Sequence, residues 1–266
     1  MSNALPLVSI VTQSFNQARF LEATLRSVLE QDYARIEYIV IDGGSTDGSQ
    51  AILRKHAGRL ADWVSEPDRG QTDAINKGFA RAHGDILAWL NSDDTYEPHA
   101  VREAVESFRQ FPEAGLIYGD ANYINEAGRV TGRFAAAQTD YDRLRSGTIH
   151  IPQQAAFFRA DLWRAVGPLD PSFYFAMDYD LWVRLARRAP VKYIPRVWAN
   201  FRLHAAGKTL VADERCWPEM LRVHYRDGGG RLAPIVVRYH LRRLVAPYWR
   251  WRRRRLVDGM QRAGTE

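Results

Sequence analysis

Two adjacent carboxylates, Asp93 and Asp94, follow an apolar run that ends at Leu90. A short, continuous apolar segment is typical of a buried parallel strand. Side chains just beyond the carboxyl end of such a strand lie where open α/β sheets bind their ligands. Two carboxylates there can bind a hard divalent cation, and such a cation binds a diphosphate. The alternative is that both residues only cap the following helix.

A second polar loop, Asp42 to Gly48, is expected between a strand and a helix. Asp42 can accept hydrogen bonds from a base or a ribose, and glycines such as Gly44 let a ligand approach the backbone closely. A tight turn with a helix cap is the alternative. The loop lacks the Gly-Lys-Ser/Thr ending of a Walker motif, and it is not a GxGxxG dinucleotide fingerprint.

The segment from Glu66 to Gly78 is polar and is expected to lead from a loop into a helix. Asp73, Asn76 and Lys77 are spaced so that they share one helix face. A helix N-terminus beside a cation can bind a diphosphate. A solvated first turn is the alternative for these residues.

Two further carboxylates, Asp178 and Asp180, begin an amphipathic helix, and their spacing points them to different sides. One of them can serve as a general base for a sugar hydroxyl, provided that it is shielded from water. The other would cap the helix. The alternative is that both are first-turn acids, which the helix dipole favours. His204 lies in a later loop, where an imidazole can complete a metal site that a carboxylate begins. An exposed or structural histidine is the alternative.

Apolar periodicity predicts the elements that must hold these groups. A helix capped by Asn16 is expected to bury one face that includes Phe20 and Leu25. Strands are predicted at Leu7 to Val11, Ile36 to Ile41, Ala61 to Ser65, Asp85 to Leu90 and Leu116 to Ile124, and helices at Gln50 to Leu60, Thr72 to Ala82, Pro98 to Arg109, Arg159 to Val166 and Asp178 to Arg188. This alternation predicts an α/β fold with a mostly parallel sheet flanked by helices.

Composition limits the class of protein and its compartment. The 266 residues suit one large domain with an appendage, and we divide them into a domain at 1–227 and an appendage at 228–266 after the glycines that begin at Gly228. The single cysteine, Cys216, fits a reducing compartment. We expect a cytoplasmic protein because the sequence has no recognisable signal peptide or spanning segment.

The net charge of +6 comes from the C-terminal appendage. The stretch from Arg238 to Arg255 holds eight arginines and no acid, interleaved with tyrosines and with Trp249 and Trp251. Such a basic amphipathic helix is typical of an anchor on an anionic membrane surface. A solvated helix packed on the domain, or RNA binding through arginine and aromatic side chains, is the alternative. The main body is not basic, so no nucleic-acid partner is expected.

The ordered motifs resemble a family 2 glycosyltransferase with the Rossmann-like GT-A fold. The pieces that carry this resemblance are Val8 to Asn16, Ser27 to Tyr33, Glu37 to Gly48, Glu66 to Gly70, Asn91 to Asp94, Met177 to Trp182 and Arg202 to His204. The type it resembles is the bacterial enzyme that builds O-antigen or other surface polysaccharide on lipid-linked acceptors. The Gln-x-x-Arg-Trp motif of processive synthases is absent, which favours transfer of a single sugar.

The resemblance implies a role for each matching residue. Asp178 would be the catalytic base, and Asp94, with Asp93 and His204, would hold Mg²⁺ or Mn²⁺. The residues that would bind the nucleotide sugar are Thr12, Ser14, Asn16, Asp42, Gly44, Asp68, Gly70, Asp73, Asn76, Lys77, Ser92 and Asp93. Met177 stands where the family often has Glu, which removes a possible contact to acceptor or donor.

We therefore expect an inverting enzyme that moves one sugar from a UDP-sugar to a hydroxyl of a lipid-linked or oligosaccharide acceptor. The metal would neutralise the leaving diphosphate. We expect the protein at the inner face of the cytoplasmic membrane, bound peripherally through Arg238 to Arg255. The alternatives are a sugar nucleotidyltransferase, which would release pyrophosphate, and a non-catalytic scaffold that binds sugar nucleotides at the membrane.

Overall fold

A computed structural model describes residues 5–148, 150–204, 207 and 216–244 of the chain. The strands are β1 (Val8–Ser14), β2 (Ile36–Asp42), β3 (Asp62–Ser65), β4 (Ile86–Trp89), β5 (Thr95–Tyr96), β6 (Leu116–Ile124), β7 (Val130–Phe134), β8 (Ala156–Arg159) and β9 (Val191–Arg202). The α-helices are α1 (Ala18–Leu29), α2 (Ser49–His56), α3 (Gln71–Ala80), α4 (Ala100–Gln110), α5 (Tyr141–Arg145), α6 (Ala160–Val166), α7 (Met177–Ala186) and α8 (Cys216–Arg226). A further helix, which we name the C-terminal helix, covers residues 234–244.

All of these strands join one sheet, in the order β3-β2-β1-β4-β8-β6-β9-β5, with β7 on β6. The first four are mutually parallel, as the alternation of strands and helices predicted. Beyond β4 the sheet is mixed, because β8 runs antiparallel to both β4 and β6 while β9 runs parallel to β6. The predicted α/β fold is confirmed, and its parallel part is the half that precedes the two carboxylates.

Both faces of the sheet are covered, which explains why the central strands are apolar throughout. Along β1, Ile10 faces α1, α2 and α4, and Val11 faces α3 and α7. The second face is rich in aromatic residues, and Trp89 of β4 stacks on Trp182 of α7 with 5.3 Å between ring centroids. The end of β4 and the first turns of α7 are thereby packed against each other.

A close approach between α3 and β1 depends on a glycine. A Cβ atom added to Gly78 would lie 2.3 Å from Cγ1 of Val11, far inside van der Waals contact. The absence of a side chain lets the helix backbone lie directly on the strand. This approach brings the N-terminal end of α3 towards the carboxyl ends of β1 and β4.

The C-terminal part of the described chain packs on α8. Leu221 of α8 forms a small buried cluster with Ile235 and Val236 of the C-terminal helix. The predicted boundary at residue 228 stays a prediction. The predicted membrane segment is described only as far as residue 244, and Arg250 to Arg255 with both tryptophans lie outside the described residues. No helix within the described ranges is long and apolar enough to cross a membrane.

Candidate active site

The candidate site lies at the carboxyl ends of the parallel strands. Ser14 at the end of β1 pairs in register with Asp42 at the end of β2, and Val11 pairs with Trp89 of β4. The loops after β1, β2 and β4 therefore emerge side by side. This is the edge at which open α/β sheets bind ligands.

Asp93 and His204, two candidate metal ligands from opposite halves of the chain, pair at this edge, where the His204 side chain is only 4% exposed. Nε2 of His204 lies 2.9 Å from Oδ2 of Asp93, and the Asp93 side chain is 20% exposed. The His204 ring also packs on Phe20 of α1, with 4.9 Å between ring centroids. The predicted association of Asp93 with His204 therefore has a geometric basis in the structure.

Asp94 has different surroundings, and its predicted role as a metal ligand stays a prediction. Its side chain is completely buried. Oδ1 accepts a hydrogen bond from the Arg202 backbone amide at 2.8 Å, and Oδ2 accepts one from Nδ2 of Asn91 at 3.1 Å. Burial, followed by the charge of Asp93, raises the pKa of Asp94 well above its usual range. These contacts make Asp94 a support of the loop, and Asp93 is the carboxylate that faces outwards.

Arg202 fixes this loop and was not recognised in the sequence. Its Nε donates to the backbone carbonyl of Asp93 at 2.7 Å, and Nη1 donates to the carbonyls of Asn125 and Glu126. The guanidinium also covers the ring of Phe20. Arg202 is nearly fully buried, and desolvation lowers its pKa from the ordinary value. One arginine thus ties the loop of residues 91–94, which we name the metal-binding loop after its predicted role, to the end of β9.

The donor set fits a divalent cation that a diphosphate also binds. Asp93 and His204 offer one carboxylate and one imidazole. Among the residues that the structure describes, no three His, Cys, Asp or Glu side chains are grouped so that they could hold a metal by themselves. A cation held by this pair would take its remaining ligands from diphosphate oxygens and water, as Mg²⁺ at phosphates usually does. Ser92, buried beside the pair, belongs to the turn that orients Asp93.

The loop after β2 is organised around Asp42, which is completely buried. Its carboxylate accepts hydrogen bonds from the backbone amide and the hydroxyl of Ser45 and from the hydroxyl of Ser65. Thr12 is equally buried and shares a hydrogen bond with the Tyr38 hydroxyl. Both residues support the predicted nucleoside pocket from beneath. The buried Ser14 hydroxyl has no hydrogen-bond partner in the described part of the chain, so it is available to a ligand.

Phe15 lies at the mouth of this pocket and was missed in the sequence. It directly follows β1 and is 61% exposed. A Cβ atom placed on Gly43 would lie 3.3 Å from the Phe15 ring and 2.7 Å from Oδ2 of Asp68. The Phe15 ring, the Asp68 carboxylate and the backbone of Gly43 thus pack closely together, with Gly44 beside them in a left-handed conformation. The signal was an aromatic residue at a strand end, where the apolar pattern of the strand had already stopped.

The sequence suggested that Asn16 caps α1, but the structure shows that it does not. It adopts a positive φ of 52°, and its side-chain oxygen accepts a hydrogen bond from the amide of Thr46 at 3.0 Å. The helix begins at Ala18, whose amide donates to the Asp47 carboxylate instead. Asn16 therefore holds the loops after β1 and β2 together.

The first turns of α3 carry charged groups that pair with one another. Asp73 accepts a 2.7 Å hydrogen bond from Arg69, the main cause that lowers the pKa of Asp73 below its usual value. Nζ of Lys77 lies 3.6 Å from Asp73 and 3.2 Å from Glu66. Gly70 is the N-cap of this helix, and its amide donates to Asp68. These groups lie along the rim of the same edge.

Asn76 makes contacts of another kind. Its amide nitrogen donates to the Leu169 carbonyl, and its oxygen accepts from the Leu169 amide, both at 2.9 Å. These two contacts tie α3 to the segment between α6 and α7. They support a structural role for Asn76, and its predicted contact with the nucleotide sugar stays a prediction.

A cluster of side-chain amides lies beneath the Asp93–His204 pair, and the sequence did not predict it. Oδ1 of Asn91 accepts hydrogen bonds from Gln13 at 2.5 Å and from Gln71 at 3.1 Å. Nδ2 of Asn91 donates to Gln153 as well as to Asp94. The cluster thereby joins the end of β1, the start of α3 and the metal-binding loop.

The two carboxylates at the start of α7 are distinguished by their partners. Asp180 is completely buried and pairs with Arg184 at 2.9 Å and with Arg226 at 2.5 Å. Its charge is neutralised inside the protein, so it is a structural residue. Asp178 is half-buried in the first turn, and one of its oxygens accepts the Tyr179 amide. Asp178 is the member of the pair that can reach a substrate.

Contacts between α3 and α7 connect Asp178 to the metal-binding loop. The Thr72 hydroxyl donates to Sδ of Met177 at 3.0 Å, and the preceding residue, Gln71, bonds to Asn91. The stacked Trp89 and Trp182 rings lie beneath the same junction. The first turn of α7, which carries Asp178, is therefore linked through α3 to the loop that carries Asp93.

Solved structures share this arrangement of elements. TarS of S. aureus in complex with UDP-GlcNAc superposes with a TM-score of 0.70 at 14% identity, over 90% of this chain and 73% of that one. The mannosyltransferase PcManGT of Pyrobaculum calidifontis in complex with GDP-Man and Mn²⁺ gives 0.64 at 20% identity, over 90% and 70%. The fold is thus the GT-A fold of nucleotide-sugar-dependent glycosyltransferases.

The sequence comparisons then give the family. Residues 9–165, more than half of the chain, match Glycosyl transferase family 2. An uncharacterized glycosyltransferase of Mycobacterium tuberculosis is 37% identical over 241 residues, which are 88% of this chain and 90% of the relative. The chain belongs to glycosyltransferase family 2.

Proposed function

We propose that this protein is an inverting, metal-dependent glycosyltransferase that moves one sugar from a UDP-sugar to a hydroxyl of a surface-polysaccharide acceptor. The observation that carries the proposal is the Asp93–His204 pair, which lies at the same edge of the sheet as the exposed ring of Phe15. A metal-bound diphosphate and a planar base would occupy these neighbouring places. The structural neighbours bind UDP-GlcNAc in one case and GDP-Man in the other, so the choice of uridine is part of the proposal.

The nucleoside would bind at the ends of β1 and β2. Phe15 offers an exposed ring on which a base can stack, and the Ser14 hydroxyl lies ready for a hydrogen bond. A base stacked on Phe15 would lie near the Asp68 carboxylate, which packs against the backbone of Gly43. Lys77 lies on α3, near the rim that the diphosphate would cross.

Asp93 and His204 would hold the divalent cation, with diphosphate oxygens as further ligands. A bound cation at this place supplies positive charge that stabilises the leaving diphosphate. The imidazole favours Mn²⁺ over Mg²⁺, because Mg²⁺ prefers oxygen ligands alone. Asp94 and Arg202 would keep Asp93 in position from behind.

Asp178 would act as the general base. In an inverting transfer, the acceptor oxygen forms a bond to the anomeric carbon while the bond from that carbon to the diphosphate oxygen breaks on the opposite face. The proton of the acceptor hydroxyl passes to the Asp178 carboxylate. The contacts from Met177 through Thr72 and Gln71 to Asn91 support placing this carboxylate next to the donor.

The C-terminal helix supports a lipid-linked acceptor. Val237, Leu241 and Leu244 recur at helical spacing and are 44%, 55% and 76% exposed. Arg238, Arg242 and Arg243 flank this apolar stripe. An apolar stripe with flanking arginines fits the interface of an anionic membrane, at which a lipid-linked acceptor would be presented. The enzyme would then work peripherally on the inner face of the cytoplasmic membrane.

A UDP-release assay tests the function. The enzyme is incubated with Mn²⁺, a panel of UDP- and GDP-sugars and lipid extracted from bacterial membranes, with Asp178→Asn as the control of strongly reduced activity. Acceptor-dependent UDP release from one sugar supports the proposal. Release of pyrophosphate would establish the nucleotidyltransferase alternative, and donor binding without turnover would establish the scaffold alternative.

A further inference from the structure

Three side chains of α8 point at the segment that contains the base. Glu219, Arg222 and Arg226 recur at intervals of three and four residues, so they lie on one face of the helix. Each of them contacts a residue between 172 and 180. Helix α8 is thus packed along the entry and the first turn of α7.

Glu219 accepts hydrogen bonds from three consecutive backbone amides of this segment. Its Oε2 accepts hydrogen bonds from the backbone amides of Phe175 at 2.7 Å and Ala176 at 2.8 Å, and its Oε1 accepts from Tyr174 at 3.0 Å. Ala176 is the N-cap of α7, and Tyr174 and Phe175 directly precede it, so these amides face the N-terminal end of the helix. A carboxylate there satisfies them and is favoured by the helix dipole. Glu219 therefore fixes the backbone that leads into α7.

Arg222 and Arg226 hold the two sides of the same segment. The Arg222 guanidinium donates to the Ser172 carbonyl at 2.8 Å and lies 3.9 Å from the centre of the Phe173 ring. Arg226 pairs with the buried Asp180. The segment around Asp178 is therefore restrained before the helix begins and again at its first turn.

We propose that Glu219 is a positioning residue for the base, which it holds through the three backbone amides that precede Asp178. The inference rests on the proposed role of Asp178. Ala176 is the N-cap of α7, and Asp178 follows it by two residues, so the direction of this backbone sets where the carboxylate lies. A displacement of about 1 Å at a reacting group can cost about 100-fold in rate.

The test is a double-mutant cycle of Glu219→Ala with Asp178→Asn. We expect Glu219→Ala to lower kcat by about 10- to 100-fold, with less than about twofold change in the donor KM, because the nucleotide site is left intact. In the Asp178→Asn background the same change should lower kcat by less than about twofold, since no base remains to be displaced. Glu219→Gln, which keeps one acceptor oxygen, should fall between Ala and wild type.

The controls separate this inference from the proposed function. Glu106→Ala removes an exposed glutamate that pairs with Arg102 on α4, and it should leave kcat unchanged. UDP–Mn²⁺ affinity and Tm confirm that each variant is folded, and Glu219→Gln replaces Glu219→Ala in the cycle if the alanine variant does not fold. An equal loss of kcat in both backgrounds would overturn the positioning role. Wild-type turnover of Asp178→Asn would instead overturn the proposed base.

Discussion

Nε2 of His204 lies 2.9 Å from Oδ2 of Asp93, although 111 residues of chain separate the two. The pair is held from behind by Arg202, which bonds to the Asp93 carbonyl and, through its own amide, to Asp94. Arg202, at the end of β9, therefore determines that Asp93 faces outwards and Asp94 inwards. Metal affinity should depend on Asp93 and His204 directly and on Asp94 only indirectly.

Asp93→Ala and His204→Ala should each lower Mn²⁺-dependent UDP affinity more than Asp94→Asn does. Asparagine can still accept the Arg202 amide, and the loss of a supporting group behind a metal ligand typically costs about 10- to 100-fold in affinity. Calorimetry with UDP in the presence and absence of Mn²⁺ measures the difference. A greater loss in Asp94→Asn than in Asp93→Ala would return the ligand role to Asp94.

Asp178→Asn should lower turnover by about 10²- to 10⁴-fold, the usual loss for a general base. Donor affinity should stay nearly unchanged, because Asp178 does not contribute to the Asp93–His204 pair. Steady-state kinetics and UDP titration give the two quantities. Asp142→Asn, which changes an exposed carboxylate on α5, serves as the matched control. If turnover survives in Asp178→Asn, another group must take the proton.

Phe15→Ala should weaken UDP binding by about 1–3 kcal/mol, the range for stacking of a base on an aromatic ring. The variant should remain as stable as wild type, since the ring is largely exposed. Tyr225→Ala removes an exposed ring on α8 and provides the comparison. Equal UDP affinity in the Phe15 and Tyr225 variants would show that the ring does not contact the base.

Gly78→Ala should lower the free energy of unfolding by about 1–3 kcal/mol, as overpacking in a filled core does. The new Cβ atom would clash with Val11 unless α3 moves away from β1. Gly58→Ala is the matched control, because a Cβ atom there meets nothing within 4 Å. Denaturant unfolding monitored by tryptophan fluorescence compares the two. Equal stability would mean that α3 can shift without cost.

Leu241→Glu should weaken binding to vesicles that contain anionic lipid, because the variant places a carboxylate in the apolar stripe of the C-terminal helix. UDP binding should be unaffected. Val130→Glu, an equally exposed apolar position on β7, should bind vesicles like wild type. Cosedimentation at low and high salt measures both, since charge attraction is screened by salt. Stronger binding of wild type to RNA than to vesicles would favour the nucleic-acid alternative.

The first half of the sheet could be predicted because β1, β2 and β4 are buried on both faces and read as continuous apolar runs. Strand β9 was not predicted, although it is the longest strand described. Polar residues such as Lys192, Arg196 and Asn200 interrupt its apolar pattern, and Asn200 bonds to Asn122 across the strand pair. No local pattern identifies such a strand.

The candidate site shows the same limit. Asp93 and Asp94 are adjacent and chemically identical, so the sequence alone could not decide which one turns inwards. That choice depends on Arg202, which is 108 residues away from Asp94. Asp178 and Asp180 differ in the same way, because Asp180 is buried and pairs with Arg184 and Arg226, whereas Asp178 is half-buried. Local signals located the loops, and contacts with arginines determine which carboxylate of each pair is buried.

The position of β9 between β6 and β5 also bears on how the molecule is assembled during folding. Ordering of the metal-binding loop requires β9, which contributes Arg202 and leads to His204, to join strands formed much earlier in the chain. Pairing of segments so far apart closes long loops and is therefore slow. Recovery of Mn²⁺-dependent UDP binding after dilution from denaturant should accordingly lag behind the recovery of helical structure. The active site would then be among the last parts of the protein to form.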